Sequence, residues 1–164
     1  MDGRQASLTG RVGLVIRAAT AADAPRVASC VHDAYRHYVD RIGRPPGPML
    51  DDCAETIRRH QVCLAELEGA VVGVLVLKTT DEGFLLDNVA VDPRHHGTGV
   101  GRALLTLAER EAWRAGHRSI YLYTHERMTE NQALYTRIGY VEYDRRIENG
   151  YARVYMRKPL AEPR

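Results

Sequence analysis

LLDNVAVDPRHHGTGVGRALLTLAEREAWRAG, residues 85–116, decides how this chain is read. It opens as an apolar strand, passes through a loop with glycines at 97, 99 and 101, and continues into a helix stopped by Gly116. A strand that feeds a glycine-rich turn and then a helix N-terminus is a physical device for holding anionic phosphate. The first N–H groups of the helix and the positive end of its dipole point at the ligand. The glycines let the backbone come close and adopt positive φ. The stretch therefore predicts a phosphate-bearing cofactor.

Two familiar phosphate loops fit poorly. A P-loop needs GxxxxGK[ST], and the lysine and serine are missing. A dinucleotide fingerprint needs GxGxxG followed by an acidic residue at the end of the next strand. Here the spacing is GxGxG and the next strand ends near Tyr121–Thr124, which disfavours a nucleotide-binding oxidoreductase.

Upstream, residues 1–11 read as a flexible lead-in and 12–160 as one domain. Val12–Arg17 reads as a strand. Thr20 and Asp23 form a candidate capping box for a helix whose face is Val27, Cys30, Val31, Ala34, Tyr35 and Tyr38. Val39–Met49 holds Gly43, Pro45, Pro46, Gly47 and Pro48 and reads as a long loop. A second helix is expected over Leu50–His60, with Asp51 and Asp52 in its first turn. Val62–Glu66 and Val71–Leu77 read as a hairpin, and Phe84–Val91 as the next strand. Downstream of Gly116, Ser119–Tyr123 is a strand and Thr129–Ile138 a short helix closed by Gly139. Val141–Ile147 and Tyr151–Lys158 form a hairpin around Asn149-Gly150, a type I′ signal. The order β-α-α-β-β-β-α-β-α-β-β predicts an α/β (α+β) single domain. Its sheet is mixed, mostly antiparallel and seven-stranded, with helices on both faces. The strand–helix–strand unit Phe84–Tyr123 should be a right-handed crossover joining two parallel strands.

Composition bounds the partners. A chain of 164 residues with 45% apolar and 27% charged residues is globular. The net charge of +2, from 23 basic and 21 acidic residues, argues for no nucleic acid and no membrane partner. There is no bilayer-length apolar run and no signal-peptide core, which points to the cytoplasm. Cys30, Cys53 and Cys63 lack metal-ligand spacing and read as ordinary thiols, so no metal is expected.

His96-Gly97-Thr98-Gly99-Val100-Gly101 stands where the GNAT N-acetyltransferase superfamily carries its [Q/R]xxGx[G/A] motif. A VAV strand end and Asp92-Pro93 precede it, as in that family. Asn131-Gln132-Ala133-Leu134-Tyr135-Thr136-Arg137-Ile138-Gly139-Tyr140 resembles the family's NxxAxxLYxxxGF pattern. The likeness covers about residues 12–158 and departs at His96, where the family has Gln or Arg.

The resemblance implies a fold with splayed central strands, acetyl-CoA as donor and an amine, small or peptidic, as acceptor. It assigns the pyrophosphate to His96, Gly97, Thr98, Gly99, Val100, Gly101 and Arg102. The pantetheine arm, an amide chain, would add like a strand to Val89, Ala90 and Val91. An N–H near Val89 would polarise the thioester carbonyl. Tyr135 matches the tyrosine that protonates the departing thiolate, and Asn131 the asparagine that contacts CoA. The base that takes the amine's proton stays open. Asp87 shares a strand face with Val89, His125 and Glu126 follow the fifth strand, and some family members use no dedicated base. The proline-rich Arg41–Asp52 loop falls where the family binds its acceptor, and Tyr35, Tyr38, Asp40 and Met49 are candidate lining residues. Dimers are common in the family, and the hairpin Val141–Lys158 offers an edge for a homodimer. An acyl-CoA-binding sensor on the same fold, without turnover, is the alternative reading.

Overall fold

The structure, a computed structural model, describes residues 13–163. The expected lead-in 1–11, and Val12 at the start of the first strand, lie outside these residues. Along the described chain run β1 (Leu14–Ala18), α1 (Ala24–Tyr35), α2 (Val39–Ile42), α3 (Cys53–Arg59), β2 (Gln61–Leu67), β3 (Ala70–Thr80) and β4 (Gly83–Val91). There follow α4 (Val100–Arg114), β5 (Ser119–His125), α5 (Thr129–Arg137), β6 (Val141–Glu148) and β7 (Tyr151–Pro159). The strands hydrogen-bond in the order β1-β2-β3-β4-β5-β7-β6. The pairings β1–β2, β2–β3, β5–β7 and β6–β7 are antiparallel and β4–β5 is parallel. This is the mixed seven-stranded α/β fold that the sequence predicts, including the parallel pair across α4. The chain forms two compact units, one of residues up to Leu77 with Asn88–Leu107, the other of Lys78–Asp87 with residues from Ala108 onward.

In the first unit, α1 buries the face that the 3-and-4 spacing marks. Val27, Cys30, Val31 and Ala34 pack with Val62 and Leu64 of β2, Val74 and Val76 of β3 and Ala90 of β4. Burying each of these valines and leucines contributes roughly 1.5–3 kcal/mol. A Cβ on Gly73 would lie 2.9 Å from Leu104 and 3.0 Å from Val100, so the first turns of α4 press on β3 from that side. Gly73 and its neighbour Val74 point to opposite faces of a strand. Hence α1 and α4 sandwich β3, and a glycine is required where α4 comes closest.

The capping box forms at Thr20 and Asp23. The Asp23 carboxylate accepts the Thr20 N–H at 2.8 Å, but it serves a 3-10 turn (Ala21–Asp23) that leads into α1. Asp23 is also gripped by Arg17 at 2.8 Å and Arg26 at 2.5 Å, while Arg17 reaches Glu66 at 2.6 Å. The Arg17 hydrogen bond, more than any other cause, holds the Asp23 carboxyl well below the usual carboxylate range.

Two expected boundaries change. Val39–Ile42 forms one helical turn, α2, inside the segment expected to be loop throughout. It lies ahead of Gly43, whose φ of +89° ends it, and of the prolines that forbid helix beyond. The following helix is Cys53–Arg59 rather than Leu50–His60. Asp52 caps it by accepting the Glu55 N–H at 3.2 Å, and Gly47–Leu50 is a separate 3-10 turn.

In the second unit, β6 and β7 turn at Asn149 and Gly150, both at positive φ (52° and 78°), as the type I′ reading requires. Ile120, Leu122, Val154 and Met156 are buried on one set of alternating positions of β5 and β7. The other set pairs Tyr121 with Arg157, Tyr123 with Tyr155 and His125 with Arg153. Strand β5 runs on to His125, which therefore ends the strand instead of starting the next loop. Cross-strand bonding to β7 extends it past the apolar stretch that the sequence marks.

Cys30, Cys53 and Cys63 are free thiols, and burial pushes Cys30 up to about 12. Among the described residues, no helix is long and apolar enough to cross a membrane, and no group of three His, Cys, Asp or Glu is placed to hold a metal ion.

Candidate active site

The exit of β4 is pinned before the glycine loop begins. Asp92 is buried, its N–H donates to the Val72 carbonyl at 2.9 Å, and its carboxylate accepts the Arg94 N–H at 2.9 Å. The Arg94 side chain closes over it at 2.8 Å. That bond, the largest cause, lowers Asp92 to about 2. A 3-10 turn (Pro93–His95) follows. His96 is exposed and its N–H reaches Pro93 at 3.3 Å, while the Thr98 hydroxyl donates to the His95 carbonyl at 2.5 Å.

Gly97 and Gly99 hold φ of +75° and +92°, and a Cβ on either would meet nothing within 4 Å. These two glycines are required by conformation, and their outer side is open. Gly101 differs, since its Cβ would sit 3.5 Å from Val91, so the helix start lies close to the end of β4. The first bond of α4 runs from the Ala103 N–H to the Gly99 carbonyl at 3.0 Å. The N–H groups of Val100, Gly101 and Arg102 thus precede the helical ladder. Buried Val100 anchors the turn from below. An open glycine loop with leading amides fits a phosphate group.

Along β4, Val89 and Val91 are half-buried while Asn88 and Ala90 are buried. The Tyr35 hydroxyl from α1 donates to Asn88 Oδ1 at 2.7 Å and lies 3.2 Å from the Val89 carbonyl. The sequence marks Tyr35 only as lining. In the structure it ties α1 to the backbone of the strand expected to hold the pantetheine. Strands β4 and β5 pair in parallel at Leu85 and Tyr121.

In the second unit, Asp87 meets Lys78 Nζ at 3.2 Å and accepts the Tyr123 hydroxyl at 3.3 Å. Burial, and next the Asp87 charge, push the Tyr123 phenol well up. The Arg153 guanidinium stacks over the Tyr123 ring at 4.4 Å, and Tyr155 packs on Tyr123 at 5.3 Å. Tyr155 donates to Glu148 and is pushed up to about 12, by burial first and then by that bond. Lys78, Tyr123 and Arg153 are residues the sequence reading passed over. The one available signal was the alternation in SIYLYTH, which sets Tyr121, Tyr123 and His125 on one face.

Tyr135 is buried on α5, its ring edge-on to buried Tyr140 at 5.6 Å. Asn131 sits in the first turn of α5, its amide 3.6 Å from Met128 Sδ. His125 Nδ1 accepts the Arg127 N–H at 3.1 Å, and Gln132 donates to the Glu126 carbonyl at 2.9 Å. These bonds brace the turn that carries the other two base candidates.

The chain thus carries a parallel strand pair joined through a helix, an open glycine cradle at the helix start and a buried tyrosine on the next short helix. It belongs to the GNAT acetyltransferase family, whose model, the Acetyltransferase (GNAT) family, matches residues 28–140. Its fold is similar to that of an IAA acetyltransferase from Bacillus cereus, with a TM-score of 0.67 and 23% identity over 90% of this chain and 99% of that one. A PaiA N-acetyltransferase from Thermoplasma acidophilum, solved in complex with coenzyme A, aligns with a TM-score of 0.73 and 16% identity over 89% and 98%. The ribosomal-protein-S18-alanine N-acetyltransferase of Escherichia coli aligns with a TM-score of 0.70 and 19% identity over 92% and 96%. No curated protein sequence matches the chain.

Proposed function

We propose that the chain is an acetyl-CoA-dependent N-acetyltransferase that moves the acetyl group to a primary amine by direct attack, with both substrates bound. The observation that carries this reading is the glycine cradle, open on its outer side and backed by helix N–H groups that precede the α4 ladder. Acetyl-CoA supplies an activated acyl thioester and a thiolate leaving group.

The protein's own groups do the rest. The N–H groups of Gly97–Arg102 take the pyrophosphate, and the dipole of a 15-residue helix adds to their pull. Val89–Val91 offer backbone groups to the amide arm, and a Val89 N–H aimed at the thioester oxygen stabilises the charge that develops there. The Tyr35 hydroxyl keeps that strand in place. Tyr135 gives a proton to the departing sulfur, and Asn131 contacts CoA. Asp87 takes the amine's proton, directly or through water, with Lys78 and Tyr123 fixing its orientation. Three free cysteines support a reducing compartment, the cytoplasm.

A second reading is acyl-CoA binding without turnover, favoured by the fact that Asp87 is already engaged by Lys78 and Tyr123. Thiol release from acetyl-CoA across a broad amine panel decides between them. The lead reading expects release well above background hydrolysis with at least one amine. Acetyl-CoA binding without release from any amine supports the sensor, and failure to bind acetyl-CoA overturns both.

A further inference from the structure

The Arg153 side chain is only 17% exposed, yet its guanidinium makes no hydrogen bond to any described residue. Its ion-pair partner is Glu148 Oε2 at 3.7 Å, and the other oxygen of that carboxylate, Oε1, accepts the Tyr155 hydroxyl. Its other contacts are ring faces, Tyr123 at 4.4 Å and Tyr151 at 6.0 Å. A guanidinium carries five N–H donors in a planar fork, and buried donors are almost always satisfied. Arg146, its cross-strand neighbour on β6, shows the contrast, since it is bound to Glu82 at 2.5 Å and Asp144 at 2.7 Å. Arg153 is stacked, held in place and short of acceptors.

The Tyr123 ring relates this fork to Asp87. It offers its face to Arg153 and its hydroxyl to Asp87, so a cation and a carboxylate both contact one aromatic side chain. We propose that Arg153 receives the carboxylate of the acceptor, and that the acceptor is an amino acid whose amine lies toward Asp87. This rests on the acetyltransferase reading and narrows it. The fork matches a carboxylate in bidentate geometry. With Glu148 and Asp87 nearby, a monoanion suits the site better than a dianionic phosphate.

The test is calorimetry on the intact chain with N-acetyl-L-amino acids, the expected products, against the matched N-acetyl-amino-acid amides. Each titration is run with and without saturating coenzyme A, so the carboxylate result is read separately from the cofactor result. The acids should bind at least about tenfold tighter than the amides, one hydrogen-bonded charge being worth that much. Arg153→Gln should erase the difference, and Arg153→Lys, a point charge without the fork, should restore only part of it. Coenzyme A affinity should stay within about twofold in both variants, which also reports that they fold. Equal binding of acids and amides, binding of neither, or an undiminished preference in Arg153→Gln overturns the proposal. Loss of coenzyme A binding by the unaltered chain, with the carboxylate preference intact, would instead remove the acetyltransferase reading.

Discussion

From Asp92 to Arg102 the first unit offers a ligand main-chain N–H groups, set by two positive-φ glycines and a helix start. Across β3, β4, β5 and β7 the second unit offers side chains, a tyrosine, a carboxylate and two cations brought together by strand register. The first arrangement is built from neighbours in sequence, and it suits a ligand part that never changes. The second is built from residues far apart in sequence, such as Asp87, Tyr123 and Arg153, and substitution can alter it without touching the fold. On the proposed function, that difference gives cofactor holding to the backbone and acceptor choice to side chains.

The largest expected effect lies in the chemistry of the second unit. Tyr135→Phe should lower the rate of thiol release about a hundredfold, the usual worth of a positioned acid, with acetyl-CoA affinity changed less than about twofold. An unchanged rate would show that Tyr135 only packs against Tyr140.

The first unit should respond in stability instead. Asp23→Asn leaves Arg17 and Arg26 without their buried carboxylate and should cost about 2 kcal/mol in denaturant unfolding. The pH dependence has a definite sign. Asp23 and Asp92 both ionise below their ordinary value when folded, with Asp92 at about 2, so the unfolded chain binds protons first. Their contribution is present above roughly pH 4, the unfolded value, and is lost as the pH falls toward the folded one. Acid titration of the unfolding free energy should therefore decline below roughly pH 4, and less steeply in Asp23→Asn. A parallel decline in both proteins would contradict the assignment.

The smallest effect is expected where the chain departs from its family. If backbone groups hold the pyrophosphate, His96→Ala should change coenzyme A affinity less than about threefold by calorimetry. A loss of tenfold or more would show that the exposed imidazole contributes directly and would blur the division between backbone and side chain.

The same division separates what the sequence shows from what it hides. The glycine loop, the type I′ turn at Asn149-Gly150 and the buried face of α1 are written in neighbouring residues, so spacing alone reveals them. The parallel pairing of β4 with β5 follows from the strand–helix–strand connection through α4. The Lys78–Asp87–Tyr123–Arg153 cluster depends on which residue of β7 stands beside which residue of β5, and no local pattern encodes that register. The single helical turn at Val39–Ile42 was hidden because the glycine and prolines that follow dominate the segment. His125 was misplaced because β5 is lengthened by pairing with β7 rather than by its own apolar residues.

Calorimetric titration of the intact chain and of Gly99→Ala with acetyl-CoA tests the central claim most directly. At φ +92° a side chain strains the loop by roughly 1–3 kcal/mol, so the cradle should distort while its surroundings stay folded. Saturable binding to the intact chain is expected, with at least about tenfold weaker binding to Gly99→Ala and His96→Ala near the intact value. Equal affinity in Gly99→Ala, or no binding to the intact chain at millimolar ligand, would contradict that claim.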